Sequence, residues 1–299
     1  MAEMEPEFEL TGDPTPAPAS SAAVDPGESE YIFTTGDSER KKRPLEYVAI
    51  EYRNNVAWLT LKRAPYNVLN FDMMDEIARC VSGLSEQPTV RALVIQAAKD
   101  CTAFSAGMAV EDSRPERAYQ TLEAFQAVFN AMVEISKPVV AVVNGPAIGA
   151  GCELAALADM IVATPKARFA QPEIKIGTYP PLASVILPHA IGHKRALEMI
   201  LTGDPLSAQD AHRLGLVNRL VAEDQLEIET LKVLTKITEQ SAPVLEMAKK
   251  VLYETIGVPI NQALRRSADI YLNQLMDLSD TQEGLRAAVE KRKPVWQDK

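Results

Sequence analysis

Between Asn144 and Tyr179 the chain reads NGPAIGAGCELAALADMIVATPKARFAQPEIKIGTY, and two carboxylates in it, Glu153 and Glu173, conflict with surroundings otherwise suited to burial. Glu153 is followed by Leu154, Ala155, Ala156, Leu157 and Ala158, all apolar. An unpaired buried charge costs several kcal/mol and escapes by raising its pKa, so an acid on an apolar helix asks for a reason, and proton transfer is one. Just before it, Gly149, Ala150 and Gly151 open a predicted helix whose first amides have no partner within the helix. Such amides suit an oxygen carrying negative charge. Glu173 follows Pro172, which disfavours helix at Gln171 and fixes the backbone leading into the acid. Two carboxylates on separate elements can hold a water between them. The bland alternatives are a salt-bridged Glu153 and a helix-start or surface Glu173.

Residues 1–39 contain ten acidic residues, no Lys or Arg, and much Pro, Ala and Ser, a composition that buries too little apolar surface to offset its ordering entropy. Residues 1–44 are therefore expected to be a disordered acidic tail and a basic linker. Removing those ten from the 41 acids leaves 31 against 31 basic residues, so the net charge of −10 belongs to the tail. The neutral remainder neither forbids an anionic ligand nor offers a basic face for nucleic acid. Arg40, Lys41, Lys42 and Arg43 read as a solvated linker, with a localisation or anion-binding patch as the alternative.

No secretory start and no run of about 18 apolar residues is present, so the expectation is a cytoplasmic protein without membrane or nucleic-acid partners. Cys80, Cys101 and Cys152 are scattered and lack CxxC spacing. His189, His193 and His212 stand outside any HExxH arrangement, so no metal site is expected. Neither a GxSxG elbow nor a GxxxxGKS loop occurs, which removes most of the case for a hydrolase triad or a nucleoside triphosphatase.

The 255 residues from Leu45 are enough for a sizeable core. Tyr47–Arg53 and Val56–Lys62 alternate apolar and polar residues around Asn54 and Asn55, a hairpin pattern. Phe71–Leu84 has helical spacing with Met73, Met74, Ile77, Val81 and Leu84 on its apolar face. A strand over Val90–Gln96, a helix over Pro115–Ile135 and a doubly buried strand over Pro138–Val143 follow. The alternation is α/β. After residue 175 the pattern becomes helical, with helices expected over Ala190–Leu201, Ser207–Leu214, Glu223–Gln240, Ala242–Thr255, Ile260–Asp277 and Thr281–Lys291. This divides the body into an α/β core over 45–220, carrying the site, and a helical oligomerisation region over 221–299. In the loop KDCTAFSAGMAV, Lys99 to Val110, the amide just after Gly107 could join the one near Ala150 in gripping one oxygen; a tight turn without function would carry similar residues.

TAFSAGMAV, then NGPAIGAGCELAALADMIVATPKARFAQPEIKIG, then LTGDPLSAQDAHRLGLVNRLV resemble the enoyl-CoA hydratase/isomerase, or crotonase, family in order and separation, across nearly all of Leu45–Lys299. The tail has no counterpart. The resemblance implies a spiral of ββα units, a helical C-terminal trimerisation region and commonly a dimer of trimers. It also implies an acyl-CoA thioester whose carbonyl is held by the backbone N–H groups of Met108 and Ala150. Glu153 and Glu173 match the family's two catalytic acids, Glu153 deprotonating water and Glu173 exchanging a proton with the substrate carbon skeleton. CoA would be met by Lys62, Arg63, Lys99 and Ala106, with Lys291 from an adjacent subunit; no cofactor beyond the CoA of the substrate is implied.

Two departures bear on substrate. TYPPLASVILPHAIG stands where the short-chain hydratases usually have a glycine-rich segment, and Met108–Ala109 where an Ala-Asp pair is usual. Pro180 and Pro181 stiffen one wall, and the other loses an acid. The PPxAxxxLP pattern resembles the dienoyl-CoA hydratases of anaerobic benzoyl-CoA degradation, which convert cyclohexa-1,5-diene-1-carbonyl-CoA to 6-hydroxycyclohex-1-ene-1-carbonyl-CoA. A linear-chain enoyl-CoA hydratase of fatty-acid β-oxidation, an isomerase or acyl-CoA hydrolase of the same family, and a non-enzymatic scaffold are the alternatives.

Overall fold

The computed structural model describes residues 43–299; the expected acidic tail and most of the linker lie outside them. Strands β1 (Val48–Arg53) and β2 (Val56–Leu61) form the expected hairpin, with Arg53 opposite Val56. Asn54 and Asn55 turn it at φ of 52° and 61°, the left-handed conformation that a two-residue hairpin loop demands and Asn tolerates. Helix α1 (Phe71–Ser82) is capped by the Asn70 side chain, whose oxygen accepts from the Met73 amide at 3.0 Å. Then come β3 (Ala92–Ala97), α2 (Ala118–Glu134), β4 (Val139–Val143), β5 (Pro146–Ile148), α3 (Ala150–Ala156), β6 (Met160–Ala163) and β7 (Arg168–Ala170). A short 3-10 turn, Pro172–Ile176, leads to α4 (Ala183–Ile191) and α5 (His193–Thr202). The chain ends with β8 (Leu206–Ser207), α6 (Ala208–Leu214), β9 (Arg219–Leu220), α7 (Leu226–Thr238), α8 (Ala242–Thr255), α9 (Ile260–Ile270) and α10 (Ser279–Glu290).

Two sheets take strands in turn as the chain winds. The larger runs β1-β2-β3-β4-β6-β9, parallel from β2 onward; the smaller runs β5-β7-β8. β1, β2 and β3 all join the larger sheet, while the pairs β4–β5 and β6–β7 each give one strand to each sheet. Burial of both faces makes the inner strands of the large sheet mostly apolar, with alternate residues facing opposite cores. In β4, Val139, Ala141 and Val143 face the main core, while Val140 and Val142 face a second core closed by Leu234 of α7. Leu93 and Ile95 against Ala92 and Val94 repeat the division in β3. Pro44–Lys299 form one compact unit.

Three expectations need correction. The C-terminal third is not purely helical, since β8 and β9 each add a two-residue rung. Sequence pattern gives no helix here: Pro180 and Pro181 read as a stiff wall, but they lead through Leu182 into α4, and Pro188 lies within it. The helix expected over Ile260–Asp277 stays α-helical only to Ile270 and widens into a π turn over Tyr271–Leu275.

Helix α8 is tied to the sheet by a buried ion pair. Lys249 Nζ lies 2.8 Å from Asp159 Oδ2 and donates to the Lys137 carbonyl at 3.0 Å; the Tyr253 hydroxyl donates to Asp159 Oδ1 at 2.7 Å, and the Val139 amide to Oδ2 at 2.7 Å. Burial lowers the Lys249 pKa, and the Asp159 charge opposes that shift. Removing one partner of such a pair strands the other. Asp159→Ala is expected to destabilise the protein by roughly 3–5 kcal/mol, because it leaves the Lys249 charge with carbonyl acceptors only, and Lys249→Met by less, because Asp159 keeps the Tyr253 hydroxyl and the Val139 amide, both read from urea midpoints at unchanged slope. Equal, small losses would show that the pair does not anchor α8.

Candidate active site

The loop after β3 and the connection from β4 leave adjacent parallel strands at their carboxyl ends, where open α/β sheets place ligands. The two segments meet as backbone. The Ser105 amide donates to the Pro146 carbonyl at 3.2 Å and the Ile148 amide to the Ser105 carbonyl at 2.9 Å. Gly107 has φ of 96°, and a Cβ there would sit 2.9 Å from the Ile148 oxygen and 3.7 Å from the Ala150 nitrogen. Only glycine permits this approach. The Leu69 amide donates to the Gly107 carbonyl and the Ala109 amide to the Leu69 carbonyl, both at 2.7 Å, a rung that skips Met108. Among the described residues neither the Met108 N–H nor that of Ala150, the first residue of α3, has a backbone acceptor.

Glu153 stands one turn into α3 and is 1% exposed. Its Oε1 accepts from the Ala183 amide at 2.8 Å and the Leu182 amide at 3.1 Å, at the start of α4. Burial pushes its carboxyl up to about 7; the two amides pull the other way, and the charge of Glu173 adds to the rise. Glu173, on the 3-10 turn, has its carboxyl raised by burial. Its Oε1 packs against Gly149, where a Cβ would fall 2.5 Å from it, and Gly149 has φ of 53°. Its Oε2 is buried with no hydrogen-bond partner among the described residues. Glu173 thus packs on the glycine that precedes α3, and Glu153 follows one turn later, its amide donating to the Gly149 carbonyl at 3.0 Å.

Ser105 and Asn67 frame this arrangement, and sequence reasoning did not assign them that role. The Ser105 hydroxyl donates to the Asn67 carbonyl at 2.7 Å and accepts from the Gly107 amide at 3.2 Å. Asn67, fully buried at φ of 48°, donates from Nδ2 to the Ala103 and Phe104 carbonyls and accepts from the Arg63 amide. A buried polar residue in a Pro-Tyr-Asn turn was the available signal. The amides of Leu182 and Ala183 were missed for want of α4.

Lys62, Arg63, Lys99 and Ala106 lie on loops joined by hydrogen bonds: Ala98 N–H to Leu61, Thr102 N–H to Pro65, and Ala106 N–H to Tyr66. Lys62 and Lys99 are exposed. Arg63 already spends a donor on the Val68 carbonyl at 2.7 Å, and the Ala106 amide is used, leaving its carbonyl. Lys291 is exposed just past the end of α10, and among the described residues its amide donates to the Ala288 carbonyl rather than to these loops. Cys152 is buried beside the acids, and its thiol is pushed up by burial first and then by Glu153. Among the described residues no group of His, Cys, Asp and Glu could hold a metal ion, and no helix is long and apolar enough to cross a membrane.

The sequence profile of the enoyl-CoA hydratase/isomerase family matches residues 51–299, and the chain belongs to that family. It is 32% identical over 266 residues to human mitochondrial enoyl-CoA hydratase domain-containing protein 3, covering 87% of this chain and 86% of the relative. A probable enoyl-CoA hydratase of Mycobacterium tuberculosis is 32% identical over 254 residues, covering 84% and 98%. The crystal structure of a Mycobacterium smegmatis enoyl-CoA hydratase superposes with a TM-score of 0.79 at 33% identity, covering 84% of this chain and 99% of that one. The architecture is the crotonase fold.

The raised Glu153 pKa carries a sign for stability. Between the ordinary carboxyl value of 4.5 and about 7 the native state holds a proton that the unfolded state has released, so stability falls as pH rises through that window. Glu153→Gln is expected to raise the melting temperature at pH 8, with the gain shrinking toward pH 4. A gain independent of pH would contradict the burial of the charge. Gly149→Ala is expected to lower turnover at least about tenfold, because both its φ and Glu173 oppose a Cβ.

Proposed function

We propose that this chain adds water to a conjugated enoyl-CoA or dienoyl-CoA thioester. It is a hydro-lyase of the enoyl-CoA hydratase type. The thioester oxygen accepts hydrogen bonds from the Met108 and Ala150 amides, which favour the enolate-like charge that develops there; single donors of this kind are worth about 2.7–4 kcal/mol of barrier where removed. Glu153 takes a proton from water as its oxygen bonds to one carbon, Glu173 gives a proton to the neighbouring carbon, and the proton on Glu153 passes back to Glu173 before the next turnover, so the product gains one water. The observation that carries this reading is that buried Glu153, one turn into α3, and half-buried Glu173, packed on Gly149, accompany the Met108 and Ala150 amides, which have no backbone acceptor among the described residues. A Glu153 pKa of about 7 suits a group that must both take and return a proton.

For the acyl group we favour cyclohexa-1,5-diene-1-carbonyl-CoA, on the PPLASVILP segment and the apolar Met108. The relatives are named enoyl-CoA hydratases with no mention of a ring, and a second reading, a linear enoyl-CoA, uses the same acids. Lys62, Arg63, Lys99 and the Ala106 carbonyl are our choice for the CoA contacts, with Lys291 serving a neighbouring copy. Exposed Ile260, Leu264 and Leu272 on the C-terminal helices support assembly as a trimer or dimer of trimers through residues 221–299. No cofactor beyond CoA is invoked, and we assign the protein to the cytoplasm.

Mass analysis of products from the cyclic diene and crotonyl-CoA tests the reaction. Gain of one water is expected, falling roughly 10²–10⁴-fold in Glu153→Gln and Glu173→Gln. Free CoA or a shifted double bond as the sole product would reject hydration.

A further inference from the structure

Helix α10 buries little of its own surface. Among the described residues it contributes Asp280 and Ala287 to the interior, while Leu285 and Val289 stay exposed. A helix of 12 residues is marginal in water unless packing holds it. The chain supplies that hold by reversing at Lys291, which takes φ of 56°, and running residues 292–299 back along α10 toward its start. Two acids of α10 receive this strap. Arg292 forks Glu283 at 2.6 and 2.9 Å, and the Val295 amide donates to the same carboxylate at 3.0 Å. Buried Asp280 accepts from the Gln297 and Asp298 amides at 2.7 and 3.0 Å. Between them the Trp296 indole lies on Gly284, where a Cβ would come within 3.2 Å of the ring.

The far end of the strap ties α10 to the body. Asp298 Oδ1 accepts from the Ala242 amide at 3.0 Å, capping α8 where the side chain of Ser241, the residue before the helix, makes no such bond. Its Oδ2 lies 2.6 Å from Arg91 Nη2, and Arg91 Nη1 donates to the Thr238 and Gln240 carbonyls at the end of α7, at 2.6 and 3.1 Å. Trp296 Nε1 donates to the Glu239 carbonyl between them at 2.8 Å. An exposed ion pair alone is worth little. Here each charge also satisfies a group left open at a helix end, so one joint connects α7, α8 and α10 to the residue that precedes β3. Burial pushes the Asp298 carboxyl up, but the Ala242 amide and Arg91 outweigh it and hold the group below its ordinary 3.8.

We propose that residues 292–299 are a clasp that fixes the position of Lys291, and that Asp298 and Arg91, acting from the opposite end of α10, are positioning residues for CoA binding. The inference rests on the reading of Lys291 as a CoA contact for a neighbouring copy. Lys291 stands at the apex of the reversal, so any swing of α10 carries its ammonium away from one fixed place.

The test compares the wild type with Asp298→Ala, Lys291→Ala and the double variant; Arg91→Met breaks the same joint from its other side. Asp298→Ala is expected to speed amide hydrogen exchange in α10 about tenfold, the scale of a lost helix cap, with exchange in β3 and β4 unchanged. It should raise KM for the hydrated CoA thioester roughly three- to tenfold and leave kcat within about twofold, as lost ground-state binding does. Arg91→Met should act likewise. In the Lys291→Ala background Asp298→Ala should add nothing to KM, because it acts through Lys291. The matching pantetheine thioester, which lacks the nucleotide, should not distinguish the variants. Unchanged exchange in α10 overturns the clasp. Additive effects of the two alanines on KM, or equal losses in kcat and kcat/KM, overturn the positioning role. Calorimetric binding of butyryl-CoA makes the same comparison without turnover, so a chain that hydrates nothing loses the hydratase reading while the clasp is judged on affinities. A Lys291→Ala that binds butyryl-CoA as the wild type does removes Lys291 from the CoA site, and the positioning role with it.

Discussion

The site depends on one interaction, the grip of the Leu182 and Ala183 amides on the buried carboxylate of Glu153. Alone in an apolar helix that charge would be expelled or permanently protonated. Two amides at the start of α4 hold it where protonation and ionisation balance near neutrality. Pro180 and Pro181 bring no amide of their own, so the first two donors after them are those that meet Glu153. The double proline is thus more than a stiff wall: it delivers a helix start to an acid.

A second constraint is the contact of two glycines. Gly107 and Gly149 allow the loop after β3, the start of α3 and the Glu173 carboxylate to share a space that one Cβ would fill. The Ser105 hydroxyl and the Asn67 amide hold the loop there from behind. Rigid hydrogen-bonded backbone on one side and core-packed helices on the other leave little to reorganise as charge develops, which is what electrostatic stabilisation of a transition state requires.

Much of this was legible in the chain because local pattern and global fold agree. The hairpin at Asn54–Asn55, the apolar stripe of α1 and the doubly buried β4 each follow from spacing, and Glu153 announced itself as a carboxylate among alanines and leucines. Helix α4 hid behind three prolines. The strands β8 and β9, two residues each, carry too little pattern to separate from loop. Ser105 and Asn67 act through hydrogen bonds to residues distant in sequence, and no periodicity reports that.

The central claim, that Glu153 is a buried carboxyl poised near neutrality, is tested most directly by titrating protein carrying ¹³C-labelled glutamate side chains by NMR, with Glu153→Gln assigning the resonance. The account predicts one glutamate δ-carbon titrating near pH 7 that is missing from the variant. A Glu153 resonance that titrates with the ordinary surface carboxylates would contradict it.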